Sequence, residues 1–254
     1  MDGFGKIESG DSAVDACVDA VRARILAGDL APGARLPPER QLATTLGVNR
    51  LTLRSALAQL SASNLLRVRQ GSGYVVRPWR RDGGPDLLAG LVELAESDDD
   101  KLAIARDLLA VRRQLAVAVL ERLAAGVDLG ARAAIVAAAA RFAELARDEA
   151  ALDVIVDADL DVMGAIALAT GSPVFSLCMN PIASVLRSMP GLREAMFAAP
   201  LENASGYDAL LGWLVSPARE SIPLVVSLLA QRDEATLARY RTSLAPTKRS
   251  RRRS

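Results

Sequence analysis

Two arginines stand four residues apart, Arg50 and Arg54, in the stretch GVNRLTLR. On a helix they share one face, while Leu51, Leu53 and Leu57 are expected to point elsewhere and hold the helix to its domain. A guanidinium fork can serve helix solubility, or it can donate two hydrogen bonds to a phosphate or a guanine edge. Asn49 and Thr52 add an amide and a hydroxyl beside the arginines. Residue types elsewhere narrow the chemistry. The chain of 254 residues contains no histidine, which excludes Ser-His-Asp and Cys-His catalysis and any imidazole metal site. Its two cysteines, Cys17 and Cys178, have neither CxxC nor finger spacing, which points to a reducing cytoplasm. GSGYVV is not a dinucleotide fingerprint, because no strand–helix unit surrounds it, and no P-loop occurs. The acidic run ESDDDK suits the positive N-terminus of a helix better than a cation site. No nucleophile–base pair or cofactor loop is evident, so neither an enzyme nor a bound cofactor is expected.

The elements that would position Arg50 and Arg54 follow from periodicity. SAVDACVDAVRARILAGDL places Val14, Cys17, Val18, Val21, Ile25 and Leu26 on one helical face, with Gly28 as its cap. LAPGARLPPER is a connector, with Pro38 opening a second helix that turns Leu42, Ala43 and Leu46 inward and stops at Gly47. A third helix runs from about Asn49 to Ser61 on a stripe of Leu53, Ala56, Leu57 and Leu60. The period then changes. Short β-prone runs around Arg67–Arg69 and Tyr74–Arg77 flank Gly71-Ser72-Gly73 and read as a hairpin. Helix, helix–turn–helix and hairpin in that order make a winged helix-turn-helix, whose second paired helix enters the major groove by its N-terminal end. Asn49, Arg50, Thr52 and Arg54 occupy that end.

The expected architecture is mainly α: a winged helix-turn-helix over 10–78, a linker over 79–86, an all-α antiparallel bundle over 87–245, and a disordered basic tail over 246–254. Bundle helices are expected over Asp100–Gly126, Leu129–Arg147, Ala151–Thr170, Val174–Arg187, Ala204–Leu214, Ala218–Gln231 and Glu234–Leu244. Residues 1–81 carry twelve Lys/Arg against seven Asp/Glu, a charge of +5, whereas 82–247 carry −9 and the tail +5. An anionic partner is therefore expected for the N-terminal third. The N-terminus lacks signal-peptide features, and no stretch reaches the ~18 apolar residues of a membrane span.

ILAGDLAPGARLPPERQLATTLGVNRLTLRSALAQLSASNLLRVRQGSGYVV resembles the DNA-binding domain of the GntR family of bacterial transcription regulators. The helical half, with LLAVRRQLA and DADLDVMGAIALATGSPVFSL, resembles the effector domain of the FadR subfamily. That resemblance implies DNA contacts at Arg40, Asn49, Arg50 and Arg54, and at Gln70 and Gly71 in the wing. It also implies a homodimer on operator DNA, a repressor switched by a small-molecule effector.

Many members of that subfamily bind a divalent metal through an Asp and three His. The Asp position falls on Asp159, and the His positions on Met163 and near Ile222 and Ser243. No metal is expected from such a set, and Asp159 reads as a helix-surface or capping carboxylate. The metal-free branch of the subfamily binds long-chain acyl-CoA, which implies an acyl-CoA or other organic acid as effector. Arg112 lies on a helix made apolar by Leu108, Leu109, Val111 and Leu115. It is either the effector's cation or a salt-bridge partner. A bundle that only dimerises, with no effector, is the second expectation.

Overall fold

The structure, a computed structural model, describes residues 12–69, 71 and 73–244. The expected wing contact Gln70 and the basic tail 246–254 lie outside the described residues, as do the side chains at 180–184 and 186–188. The chain divides into two compact units, residues 1–94 and 95–254.

In the first unit, α1 (Ala13–Ala27), α2 (Glu39–Leu46) and α3 (Arg50–Ala62) precede a hairpin of β1 (Leu66–Arg69) and β2 (Gly73–Val76). Gly28 and Gly47 cap α1 and α2 in the left-handed conformation, at φ 92° and 73°. The inward residues read from periodicity are the core. Cys17, Val21, Leu46, Leu53 and Ala56 are fully buried, with Ile25, Leu57 and Leu60 nearly so. The antiparallel hairpin pairs Leu66 with Val76 and Arg69 with Gly73. Gly71 and Gly73 adopt φ of 71° and 72° at its tip, a region that side chains with a Cβ rarely enter. Leu36 N–H donates to Tyr74 O at 3.0 Å and Val76 N–H to Ala34 O at 2.9 Å, so the connector before α2 lies along β2.

Two expectations fail here. Leu51 does not hold α3 to the domain: it is 76% exposed. The segment expected as a linker over 79–86 is instead structured, and the unit continues past it to Leu94. It contains α4 (Trp79–Asp82) and a 3-10 turn (Pro85–Leu87), followed by α5 (Leu88–Glu93). Arg77 Nη1 donates to Asn64 Oδ1 at 2.7 Å and Arg77 Nε to Asp82 at 3.1 Å. Leu87 is buried in the same core, with Trp79, Leu91 and Leu94 packed against it. Apolar residues spaced through the segment anchor what Gly83, Gly84 and Pro85 made look like a spacer.

The regular elements among the second unit's described residues are all helical: α6 (Asp98–Ala124), α7 (Leu129–Arg147), α8 (Leu152–Ala169), α9 (Pro173–Ser188), α10 (Pro190–Met196), α11 (Pro200–Val215), a 3-10 turn (Arg219–Ser221) and α12 (Ile222–Leu244). Ser97 and Asp128 cap α6 and α7 by accepting from Asp100 N–H at 3.0 Å and Ala131 N–H at 2.9 Å. Proline begins α9, α10 and α11, where its missing N–H goes unneeded. Phe142, Leu123 and Ile135 are fully buried at the centre of the bundle, and α7 packs along α8 as α6 does along α12. The two helices expected over 218–231 and 234–244 are one, α12, because Arg232 and Asp233 face inward and do not break it. The seven-residue α10 was absent from the expectation, being too short to show a period.

Candidate nucleic-acid interface and bundle cavity

The N-terminal end of α3 is built by its cap. Asn49 Oδ1 accepts from Thr52 N–H at 2.8 Å, satisfying one of the open donors of the first turn. The amide NH2 remains available to a partner, while the oxygen is committed to the helix. Arg50 and Arg54 are both exposed. Arg54 Nε donates to Glu39 Oε2 at 2.7 Å, so the first residue of α2 orients an arginine of α3 and leaves its two Nη groups open. Hydrogen bonding and charge from Glu39 raise the Arg54 guanidinium further above its ordinary pKa. Arg40 is exposed at the start of α2 and Thr52 is half-buried. Gly71, exposed at the wing tip, has open space where a side chain would stand. Arg67 and Arg69 of β1 are exposed and add two cations to the wing that the sequence reading did not select. Their alternation along a strand was the available signal.

The second unit holds an open cavity lined mostly by apolar side chains from α6, α8, α11 and α12. Its polar groups are Arg112, Asp159, Tyr207 and Arg232. Asp159 is therefore not the surface or capping carboxylate expected. It is 6% exposed and accepts a hydrogen bond from the Tyr207 hydroxyl. Burial raises its pKa against the opposing pull of Tyr207, Arg112 and Arg232. Burial likewise pushes the Tyr207 hydroxyl well above its ordinary value, helped by the Asp159 charge. Tyr207 is steadied by Phe142, whose ring meets it edge to face at 5.3 Å between centroids.

Both alternatives left for Arg112 bear on what it does. Its Nη2 donates to Asp233, a residue only 1% exposed, and Arg113 reaches the other carboxylate oxygen at 2.6 Å. Arg112 is thus a salt-bridge partner, yet it lines the cavity and its buried Nε has no partner there. The sequence reading missed Arg232. Its guanidinium donates to Asn203 Oδ1 at 2.7 Å, and Asn203 in turn donates to Met196 O at 3.1 Å. Gly206 makes room for it, since a Cβ there would stand 2.9 Å from Arg232 Nη1. Unlike Arg112, Arg232 is held by a neutral amide. Met163, at the expected His position, lines the cavity beside Asp159. Among the described residues no group of three His, Cys, Asp or Glu stands close enough to hold a metal. In the same residues no helix is long and apolar enough to cross a membrane.

Comparison with known proteins bears on both units. Residues 14–76 match the family described as bacterial regulatory proteins, gntR family. The HTH-type transcriptional regulator Mce2R of Mycobacterium tuberculosis (strain CDC 1551 / Oshkosh) is 43% identical over 88 residues, 35% of this chain and 36% of that protein. The fatty acid metabolism regulator protein of Edwardsiella ictaluri (strain 93-146) is 32% identical over 149 residues, 59% of each chain. The match thus spans about a third of the first relative's length and under two thirds of the second. A solved structure of Lar, which controls the expression of the Listeria monocytogenes agr system, shares the fold. It covers 92% of this chain and 98% of its own with a TM-score of 0.57 at 15% identity. These relatives are named as regulators, none as an enzyme.

Proposed function

With a GntR-family helix-turn-helix domain as its N-terminal unit, the chain is, we propose, a transcriptional repressor that binds operator DNA as a homodimer and is switched by a small-molecule effector. The observation that carries the DNA half is the exposed set Asn49, Arg50 and Arg54 on a helix capped and oriented from α2. Arg40, Thr52, Gly71 and Gln70 complete the proposed contacts. Arginine forks serve guanine edges and phosphates, while the wing serves the adjacent backbone. A two-fold pair of such helices suits half-sites one helical turn apart. The protein would act in the cytoplasm, on the nucleoid when operator-bound.

The effector half rests on the bundle cavity. An apolar cavity with a few convergent polar groups is the form of a small-molecule site. Arg112 and Arg232 outnumber the one carboxylate that faces them, since Asp233 is shared with Arg113. An organic anion with an apolar body fits that balance, an acyl-CoA or a smaller organic acid. The relative in Edwardsiella ictaluri, a fatty acid metabolism regulator, favours the same class. Occupation would favour one arrangement of the DNA-binding pair and so change operator affinity.

The test is a thermal melt of the full chain against acyl-CoAs and organic acids, followed by operator binding with each stabilising compound. Stabilisation by mass action together with weakened operator binding is the expected result. A compound that binds tightly and leaves operator affinity unchanged would overturn the coupling. A chain that no compound stabilises would favour the second reading, in which the bundle only dimerises.

A further inference from the structure

The four buried residues of α3, Leu53, Ala56, Leu57 and Leu60, are each at most 1% exposed. At about 100° of turn per residue, their mean direction lies roughly opposite to Leu51. Arg54, Ser55 and Ala58 follow Leu51 at the third, fourth and seventh positions and share its outward face. The outermost point of this helix is therefore an aliphatic side chain, 76% exposed, in the first turn. Arg50 and Arg54 flank it on one side, Ser55 and Gln59 on the other. A charged or polar residue there would serve solubility equally well, and the core of the unit is complete without Leu51.

Leucine forms no hydrogen bond, so it can read only shape and apolarity. The major groove presents donors and acceptors at every base pair, and one apolar feature, the C5 methyl of thymine. We propose that Leu51 is a specificity-determining residue that packs on a thymine methyl, beside the base engaged by Arg50 or Arg54. Cytosine at that place would bring an amino group without a partner against the leucine, and so would be rejected. This inference rests on the reading of α3 as a DNA-recognition helix.

The experiment selects binding duplexes from a random pool with the full chain, then replaces each thymine of the selected site by deoxyuridine, one at a time. Each replacement deletes a single methyl and nothing else. Deoxyuridine at one thymine per half-site is expected to weaken binding about fourfold, the worth of one buried methyl-sized group. Leu51→Ala should bind the thymine and deoxyuridine duplexes equally at that position, keep the penalties elsewhere, and melt within about a degree of the parent because the side chain is 76% exposed and outside the core. The inference falls if no methyl matters, or if Leu51→Ala retains the same penalty. It falls too if that variant alters the oligomeric state with the penalty intact, for then Leu51 serves a protein contact. A chain that enriches no sequence from the pool sinks the DNA-recognition reading itself. One that enriches a site yet ignores every methyl sinks only the role of Leu51.

Discussion

The ion pair of the DNA-binding unit and the ion pair of the bundle look alike on paper and differ in kind. Arg54–Glu39 sits at the surface, with the arginine side chain 66% exposed. Arg112 and Arg113 meet on Asp233, which is 1% exposed. Water screens the first, so its worth lies in orienting a side chain for a partner. The second has surrendered its hydration, so its members stand or fall together. A surface pair can be spent on recognition because the fold does not depend on it. A buried cluster binds the fold and the cavity into one unit.

Four measurements would break or sharpen that contrast. Asp233→Ala leaves the half-buried guanidiniums of Arg112 and Arg113 without their buried partner and should cost the bundle about 3–5 kcal/mol, seen as a large fall in melting temperature. A melt close to the parent's would show the cluster to be as expendable as the surface pair. Arg50→Ala should weaken operator binding by about 1–3 kcal/mol, roughly fivefold to 150-fold, with far less effect on nonspecific DNA and none on the melt. Equal loss on both would make Arg50 a phosphate contact.

Asp159→Asn probes the buried carboxylate. Because the folded pKa is raised, the native state binds more protons than the unfolded chain between the unfolded value, about 3.9, and the folded one. Asp159 therefore lowers stability as pH rises through that window and stays unfavourable above it. The variant should melt higher than the parent at pH 7, by roughly 2–4 °C for each kcal/mol relieved, and lose that advantage near pH 4. A lower melt at pH 7 would mean that the Tyr207 and arginine contacts outweigh burial. Smallest is Glu39→Ala, expected to shift stability by under about 1 kcal/mol while weakening operator binding a few-fold through a freer Arg54. A change in stability as large as that of Asp233→Ala would erase the distinction between the two pairs.

The two units were also unequally readable in the amino-acid sequence. In the first, the candidate site and the fold are local: Gly47, Asn49, Arg50 and Arg54 lie within one turn and the start of one helix, and the inward stripe of α3 is a plain period of 3.6. What escaped was the outward leucine, since periodicity marks a residue as apolar without saying that a face lacks a partner. In the bundle, the helices were visible but the cavity was not. Its polar groups come from α6, α8, α11 and α12, residues 112 to 232, and no spacing along the chain announces that they converge. Asp159 looked like a surface carboxylate because nothing near it in sequence suggests Tyr207. Arg232 and Asp233 looked like a helix break for a similar reason. Their neighbours in space are Asn203 and Arg112, 29 and 121 residues away.

The division of α3 into a buried stripe and an uncovered one has a consequence for descent. Changes at Leu53, Ala56, Leu57 or Leu60 disturb the packed core, so the fold resists them. Changes at Leu51, Arg54, Ser55 or Ala58 leave that core untouched. On the proposed reading of α3, duplicated copies of such a gene can drift on the outer stripe and acquire new operators one base pair at a time, each intermediate still folded. The helix that ties the domain together thus also lets a lineage of regulators diversify without first becoming unstable.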